Sequence, residues 1–309
     1  MLREAGCDLV ECQVPRRLTA GELIALVPDI AGIIAGNDQL TADVIAAAGK
    51  LRVISRWGIG VDAVDVAAAT RHGVVVTNTP RLTADAVADL TFGLMIALAR
   101  RLIEADALVR RGEWVEMGGV NVWQKCLGII GFGAIGQAVA RRARGFDMRV
   151  LAYDVRRDEV TASGLAADYV PLDDLLRQAD FLTLHASLTE HSRGMIGARE
   201  IGLMKPSAYL VNTARGALVD ENALVAALQQ KRIAGAAIDA HWEEPPPKGY
   251  PLMRLDNCVL TPHSGFNTIE TVRQVNMLAA RNLLDVLEGR RPAHVVNPEV
   301  YERPGSRPT

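Results

Sequence analysis

Cysteine is scarce in this chain, and what little there is carries no pattern. Only four occur among 309 residues. Cys7, Cys12, Cys126 and Cys258 form no CxxC pair and no metal-ligand spacing. A disulfide framework and a zinc site are both excluded as organising principles, and the thiols are expected to be free in a reducing, cytoplasmic compartment. No long hydrophobic run is present. The most apolar region, residues 84–98, is interrupted by Asp85 and Asp89, so no membrane span is expected. The N-terminus lacks the apolar core of a signal peptide. The net charge is only −2, which argues against nucleic acid or an anionic membrane as partner.

Short β-branched runs alternating with helical stretches are what the chain does have. The runs lie at 31–35, 51–55, 74–77, 126–130, 148–153, 181–184, 209–212, 235–238 and 258–261. Near-continuous apolar strands separated by helices predict parallel sheets covered on both faces. Residues 83–111 read as one long helix capped by Thr83, and residues 268–287 as a second. Leu2–Ala5 reads as a last helical turn stopped by Gly6 and followed by a strand over 8–14. A helix that short does not hold itself, so residues upstream of Met1 are expected to be missing. The tail from Pro304 is expected to fray.

The densest information lies at Gly131-Phe132-Gly133-Ala134-Ile135-Gly136. This GxGxxG follows the strand pattern at 126–130 and opens a helical pattern. A second strand pattern then ends at Asp154, 18 positions after Gly136. Such a βαβ unit predicts dinucleotide binding. The glycines permit a tight turn and close approach of a pyrophosphate to a helix N-terminus, and the acid would accept from the adenosine ribose hydroxyls. Three later segments place polar residues just past strand ends, where open α/β sheets bind ligands. They are Asn212-Thr213-Ala214-Arg215-Gly216, Asp239-Ala240-His241-Trp242-Glu243-Glu244-Pro245 and Thr261-Pro262-His263-Ser264-Gly265.

With RWGIGVDAVD at 56–65, NTP at 78–80 and the glycine-loop segment 127–154, these segments carry a resemblance. The chain resembles the D-isomer-specific 2-hydroxyacid dehydrogenases over essentially residues 1–300. The resemblance implies an α/β protein with a Rossmann doubly wound cofactor domain and a smaller flavodoxin-like α/β substrate domain, joined by two long helices. The expected limits are 1–96 for the substrate domain, with its first strand missing, 97–284 for the cofactor domain, and 285–309 for the return and tail. It implies catalytic residues Arg215, Glu244 and His263. Arg215 would grip the substrate carboxylate and carbonyl, His263 would exchange the proton, and Glu244 would orient the imidazole. Ile59, Gly60 and Val61 would offer backbone N–H groups to the same carboxylate. Cofactor contacts are expected at Gly131, Gly133, Ala134, Ile135, Gly136, Asp154, Ala186, Ser187, Thr213, Ala214 and Asp239, with no metal. Asp154 favours NAD over NADP, because a 2′-phosphate would meet its charge. Glu243 is expected to be solvated and His241 to be a packing residue.

The implied activity is hydride exchange between a D-2-hydroxy acid and its 2-keto acid, of the glyoxylate or hydroxypyruvate reductase kind. The alternative is D-3-phosphoglycerate dehydrogenase. Residues 35–38 carry no base where phosphoglycerate-acting relatives often have arginine, although Arg56 remains to meet a phosphate. Glu244 argues against a formate dehydrogenase-like enzyme, which has glutamine there. An NAD(H)-sensing, corepressor-like binding protein is the reading from another class. A homodimer through the cofactor domain is expected, with residues 112–123 as the contact.

Overall fold

A computed structural model describes residues 1–12, 14 and 16–302. The elements follow in chain order. The first are α1 (Ala20–Leu26), β1 (Gly32–Ala35), α2 (Ala42–Ala47), β2 (Val53–Arg56), α3 (Val66–Arg71) and β3 (Val75–Thr77). Next come α4 (Ala84–Ala99), α5 (Leu102–Arg110), β4 (Cys126–Ile130), α6 (Ala134–Ala143), β5 (Arg149–Tyr153), α7 (Glu159–Gly164) and β6 (Ala167–Tyr169). The last are α8 (Leu172–Gln178), β7 (Phe181–Leu184), α9 (Ala198–Leu203), β8 (Tyr209–Asn212), α10 (Glu221–Gln229), β9 (Gly235–Ile238), β10 (Cys258–Leu260) and α11 (Ile269–Leu287). Two compact units result, Met1–Thr83 with Thr268–Thr309, and Ala84–Asn267. These divisions replace the expected breaks at 96/97 and 284/285. The reason is that each long helix belongs wholly to one unit. Helix α4 packs on α6, β8 and β9, whereas α11 packs on β1 and β2.

In the smaller unit the sheet is parallel, in the order β1-β2-β3. One face buries Leu23, Leu40, Val44, Ile45, Ile54 and Val76. The other buries Val53, Val75, Leu283 and Val286 beneath α11. The Arg52 guanidinium donates to the terminal carbonyls of α11, Leu287 O at 3.0 Å and Val286 O at 3.1 Å, and Val286 O accepts also from Gly289 N at 3.1 Å. Residues 2–6 form a turn ending at Gly6 with φ +80°. The strand expected over 8–14 does not form among the described residues. A groove of about 560 Å³ is lined both by Cys7–Cys12 and by Gly32–Ala35, and among the described residues no main-chain ladder joins them. The tail from Pro304 lies outside the described residues.

The larger unit has a seven-stranded parallel sheet in the order β10-β9-β8-β7-β4-β5-β6. Strand β6 was not anticipated, because Ala167-Asp168-Tyr169 is no apolar or β-branched run. Alternation along β4 sends Leu127 and Ile129 to the face covered by α4 and α6, and Ile130 to the opposite core with Leu175, Leu182 and Leu210. The chain builds outward from β4 to β6, then returns to place β7 on the other side of β4. The crevice between the carboxyl ends of β4 and β7 is therefore the switch point at which doubly wound sheets bind ligands.

The long helix read over 83–111 is two helices, parted at Arg100 and Arg101, with Arg101 in the left-handed region at φ +50°. The cause is local. The Ala99 carbonyl accepts from Val120 N at 2.8 Å, so the returning loop takes the acceptor a continuous helix would have used. Gly119 permits this approach, since a Cβ there would lie 2.6 Å from the same oxygen.

Candidate active site

At the end of β4, Gly131 turns the chain with φ +91°, and a Cβ on it would lie 2.4 Å from Ala186 N. A Cβ on Gly136 would lie 2.2 Å from Gly131 O. Gly133 differs, for a Cβ there meets nothing within 4 Å, and both it and Ala134 are exposed. Two glycines therefore close the turn against its neighbours, and the third leaves open space over the start of α6. Gly133 caps α6 with no side-chain hydrogen bond, so the first-turn N–H groups at Ala134 and Ile135 face outward with the positive end of the helix dipole. This cradle fits a pyrophosphate. Asp154 Oδ2 accepts from Phe132 N at 2.6 Å and its Oδ1 from Arg156 N at 2.9 Å. The acid thus ties the glycine loop to the end of β5. Ala186 is half-buried and Ser187 exposed, directly past β7.

The second part of the site is assembled from side chains. After β8, the buried Asn212 side chain donates to Arg215 O at 2.8 Å and accepts from Ala214 N at 3.0 Å. It folds the loop back on itself, and the half-buried Arg215 donates from Nη1 to Ala214 O at 2.7 Å within that loop. Gly216 then lies flush on the next loop, where a Cβ would come within 2.4 Å of His241 C. That contact brings the arginine loop against the segment that ends in Glu244. Glu244 Oε1 accepts from His241 N at 3.1 Å and lies 2.8 Å from His263 Nδ1. The two side chains are 15% and 22% exposed, so the pair is largely withdrawn from water yet reachable. Glu243 is exposed. The His241 ring is 2.9 Å from Thr261 O through Nε2 and stands edge-on to Tyr250, as a packing residue would.

Asp239 holds this corner together. It is fully buried. Its Oδ1 accepts from Thr261 Oγ1 at 2.7 Å and Ser264 N at 2.8 Å, and its Oδ2 from Gly265 N at 2.9 Å. Its main-chain carbonyl accepts from His263 N at 2.8 Å. His263 sits in the left-handed region at φ +52°, a conformation costly for a residue with a Cβ and held here by those four bonds around it.

Sequence reasoning passed over a buried hydroxyl chain at the switch point. Thr91 Oγ1 donates to Val87 O at 2.8 Å. With its proton so committed, it accepts from Thr213 Oγ1 at 3.3 Å. Thr213 must in turn accept from His185 Nδ1 at 3.4 Å. His185 therefore carries its proton on Nδ1, and the buried Nε2 is a bare acceptor without a protein partner. Burial pushes this imidazole down to about 3, so it stays neutral. Thr91 lies in α4, far from any motif, and no signal in the sequence marks it.

In the smaller unit, the turn after β2 carries Ile59, Gly60 and Val61. Among the described residues no acceptor is seen for any of their three N–H groups. Arg56 is only 5% exposed. Its Nη1 donates to Ala35 O at 3.0 Å and Trp57 O at 2.6 Å, and its Nη2 to Asn37 Oδ1 at 2.6 Å. It supports the turn from within, and the expectation that it could meet a substrate phosphate is corrected.

Comparison with known proteins is decisive for the family. Residues 92–265 match the sequence model described as D-isomer specific 2-hydroxyacid dehydrogenase, NAD binding domain. The chain belongs to this family. It is 44% identical over 272 residues to the glyoxylate reductase of Korarchaeum cryptofilum, covering 86% of this chain and 82% of that protein. It is 41% identical over 301 residues to the D-3-phosphoglycerate dehydrogenase of Methanocaldococcus jannaschii, covering 96% of this chain but 56% of that longer protein. Among solved structures it resembles the TT0316 protein of Thermus thermophilus, with TM-score 0.88 and 40% identity over 96% of this chain and 94% of that one. It is accordingly an NAD-dependent oxidoreductase that interconverts D-2-hydroxy acids and 2-keto acids at a CH–OH group. Among the described residues, no helix is long and apolar enough to cross a membrane, and no group of three or more His, Cys, Asp or Glu could hold a metal ion.

Proposed function

We propose that this enzyme reduces a small unphosphorylated 2-keto acid, glyoxylate or hydroxypyruvate, to the D-2-hydroxy acid. The observation that carries the reading is the Glu244–His263 contact of 2.8 Å in the loop cluster that also holds Arg215. When bound, NADH supplies the hydride for the carbonyl carbon. Arg215 offers a planar fork for the carboxylate and carbonyl oxygen, and the Ile59–Val61 N–H groups receive the same carboxylate. His263 gives its Nε2 proton to the developing alkoxide, with Nδ1 fixed on Glu244 so that the ring presents the correct nitrogen. Thr213 and Ala214 lie toward the nicotinamide, as does Asp239, which here acts by fixing the His263 loop. Ala134, Ile135, Ala186, Ser187 and Asp154 take the rest of the cofactor, Asp154 selecting NAD over NADP.

The commitment of Arg56 inside its own loop, and the absence of a base at 35–38, favour the unphosphorylated substrate over phosphohydroxypyruvate. The test is NADH oxidation across a panel of 2-keto acids. We expect turnover of glyoxylate and hydroxypyruvate well above that of phosphohydroxypyruvate. The reverse order would make the chain a phosphoglycerate dehydrogenase, and no turnover at all would favour a nucleotide-sensing role. We further propose a cytoplasmic homodimer, in keeping with the free thiols. The arm at 112–123 leaves Trp114 87%, Val115 59% and Trp123 53% exposed, apolar side chains that a partner copy would cover. A light-scattering mass equal to the 33.3 kDa chain would remove the dimer.

A further inference from the structure

His241 ties together the two loops that carry Glu244 and His263, and it does so through two different atoms. Its main-chain N–H donates to Glu244 Oε1 at 3.1 Å, the oxygen that lies 2.8 Å from His263 Nδ1. Its ring reaches the other loop, where Nε2 lies 2.9 Å from Thr261 O. A carbonyl can only accept, so Nε2 carries a proton and donates. The same Thr261 O accepts from His263 N at 3.0 Å. That bond joins residues two apart and closes a three-residue turn, at whose end His263 has φ +52°. A carbonyl oxygen has two lone pairs, and His263 N and the His241 ring both bond to this one. The ring therefore helps to fix the peptide on which the His263 turn closes. Packing on Tyr250 does not account for this bond. Those two rings meet edge to face with centroids 6.0 Å apart, an arrangement that any aromatic side chain could supply. The buried Nδ1 has no partner among the described residues, so the polar work of the ring falls to Nε2.

We propose that His241 is a positioning residue for the reaction, bracing the Glu244 loop against the His263 loop through its Nε2–H. The inference rests on the reading of His263 as the proton donor and of Glu244 as its orienting partner. Without the ring bond, the turn at 261–263 loses one of the two donors that orient it. The imidazole then no longer meets Glu244 and the developing alkoxide together. A displacement of about 1 Å at such a site can cost about a hundredfold in rate.

The test sets His241→Phe against His241→Gln, with glyoxylate as substrate. Phenylalanine keeps a ring for Tyr250 and removes the N–H. Glutamine removes the ring and keeps an N–H at a similar reach. His241→Phe should lower kcat by about 10- to 100-fold, with KM and the NADH Kd within about threefold. His241→Gln should recover most of that kcat. A side chain that only packs predicts the opposite order, so a kcat in His241→Phe at or above that of His241→Gln overturns the proposal. Should one variant fail to fold, the other decides against the wild type. An undiminished kcat in His241→Phe, or a loss of about tenfold or more in His241→Gln, then overturns it. In a His263→Ala background, His241→Phe should cost no further turnover, because it acts only through that imidazole, and an additive loss also overturns the proposal. A second readout needs no turnover. The imidazole N–H shared with Glu244 gives a proton resonance far downfield, identified by its loss in His263→Ala. It should broaden or vanish in His241→Phe and persist in His241→Gln. A resonance unchanged in His241→Phe refutes the brace. A wild type inert to every 2-keto acid, with the resonance behaving as expected, refutes the substrate reading and leaves the brace standing.

Discussion

The glycine loop and the His263 corner lie in the same unit and are built by opposite means. The loop is made of backbone and of side chains that are not there. Gly131 and Gly136 each sit where a Cβ would overlap main-chain atoms, at 2.4 and 2.2 Å. The corner is made of side chains drawn from three loops, with Asp239 accepting three bonds to hold His263 where Glu244 reaches it. One region fails when an atom is added, the other when an atom is removed.

The sharpest way to break that contrast is inside the loop itself. Gly136→Ala should displace the start of α6. Overpacking of this kind costs about 1–3 kcal/mol, or about 3–10 °C of Tm for a unit of this size, and NADH binding should fall with it. Gly133→Ala adds the same atom where nothing lies within 4 Å. Its Tm should hold while NADH binding weakens, because the methyl occupies space reserved for the pyrophosphate. Equal loss of Tm in both variants, read by calorimetry, would erase the distinction between the closing glycines and the open one.

In the corner, His263→Ala should lower kcat by about 10²–10⁴, the usual worth of a placed acid–base group, and leave the NADH Kd within about threefold. Fluorescence titration separates the two. Cofactor affinity that collapses together with turnover would mean that His263 shapes the cradle rather than moving a proton.

The same contrast explains what the sequence could reveal. Strands β4 and β5 and the loop between them were legible because glycine spacing and apolar runs are local signals, and local signals survive in a linear string. Arg215, Glu244 and His263 were legible only through resemblance, since nothing in their spacing states that Gly216 abuts His241 and so folds one loop onto another. Asp239 was read as a cofactor contact, whereas its three hydrogen bonds to 261–265 are a long-range closure that no motif encodes. The break after Ala99 was missed for a similar reason. Residues 84–110 carry no proline and read as helical across Arg100 and Arg101, and the interruption comes with Val120, some twenty positions later. The strand expected over 8–14 shows the converse, for among the described residues a pattern of strand type forms no ladder although residues 7–12 line one groove with β1.

The smallest effect is expected at the point where the two regions meet, the chain His185–Thr213–Thr91. The His185 pKa is pushed by burial from its ordinary 6.5 down to about 3. Its folded value is therefore below its unfolded one, and the unfolded state takes up the proton first as the pH falls. Its contribution to stability is whole above about pH 6.5, is eroded progressively below that, and is lost as the pH passes about 3. His185→Gln keeps an amide to donate to Thr213 and removes the titration. The fall in Tm between pH 7.5 and pH 5 should then be smaller in the variant than in the wild type. Carboxylates titrate alike in both proteins, so the difference isolates this ring. If the two fall by the same amount, His185 is not held neutral in the fold. A charged ring carries protons on both nitrogens, so the crevice floor would then present an N–H at Nε2 where we place a lone pair.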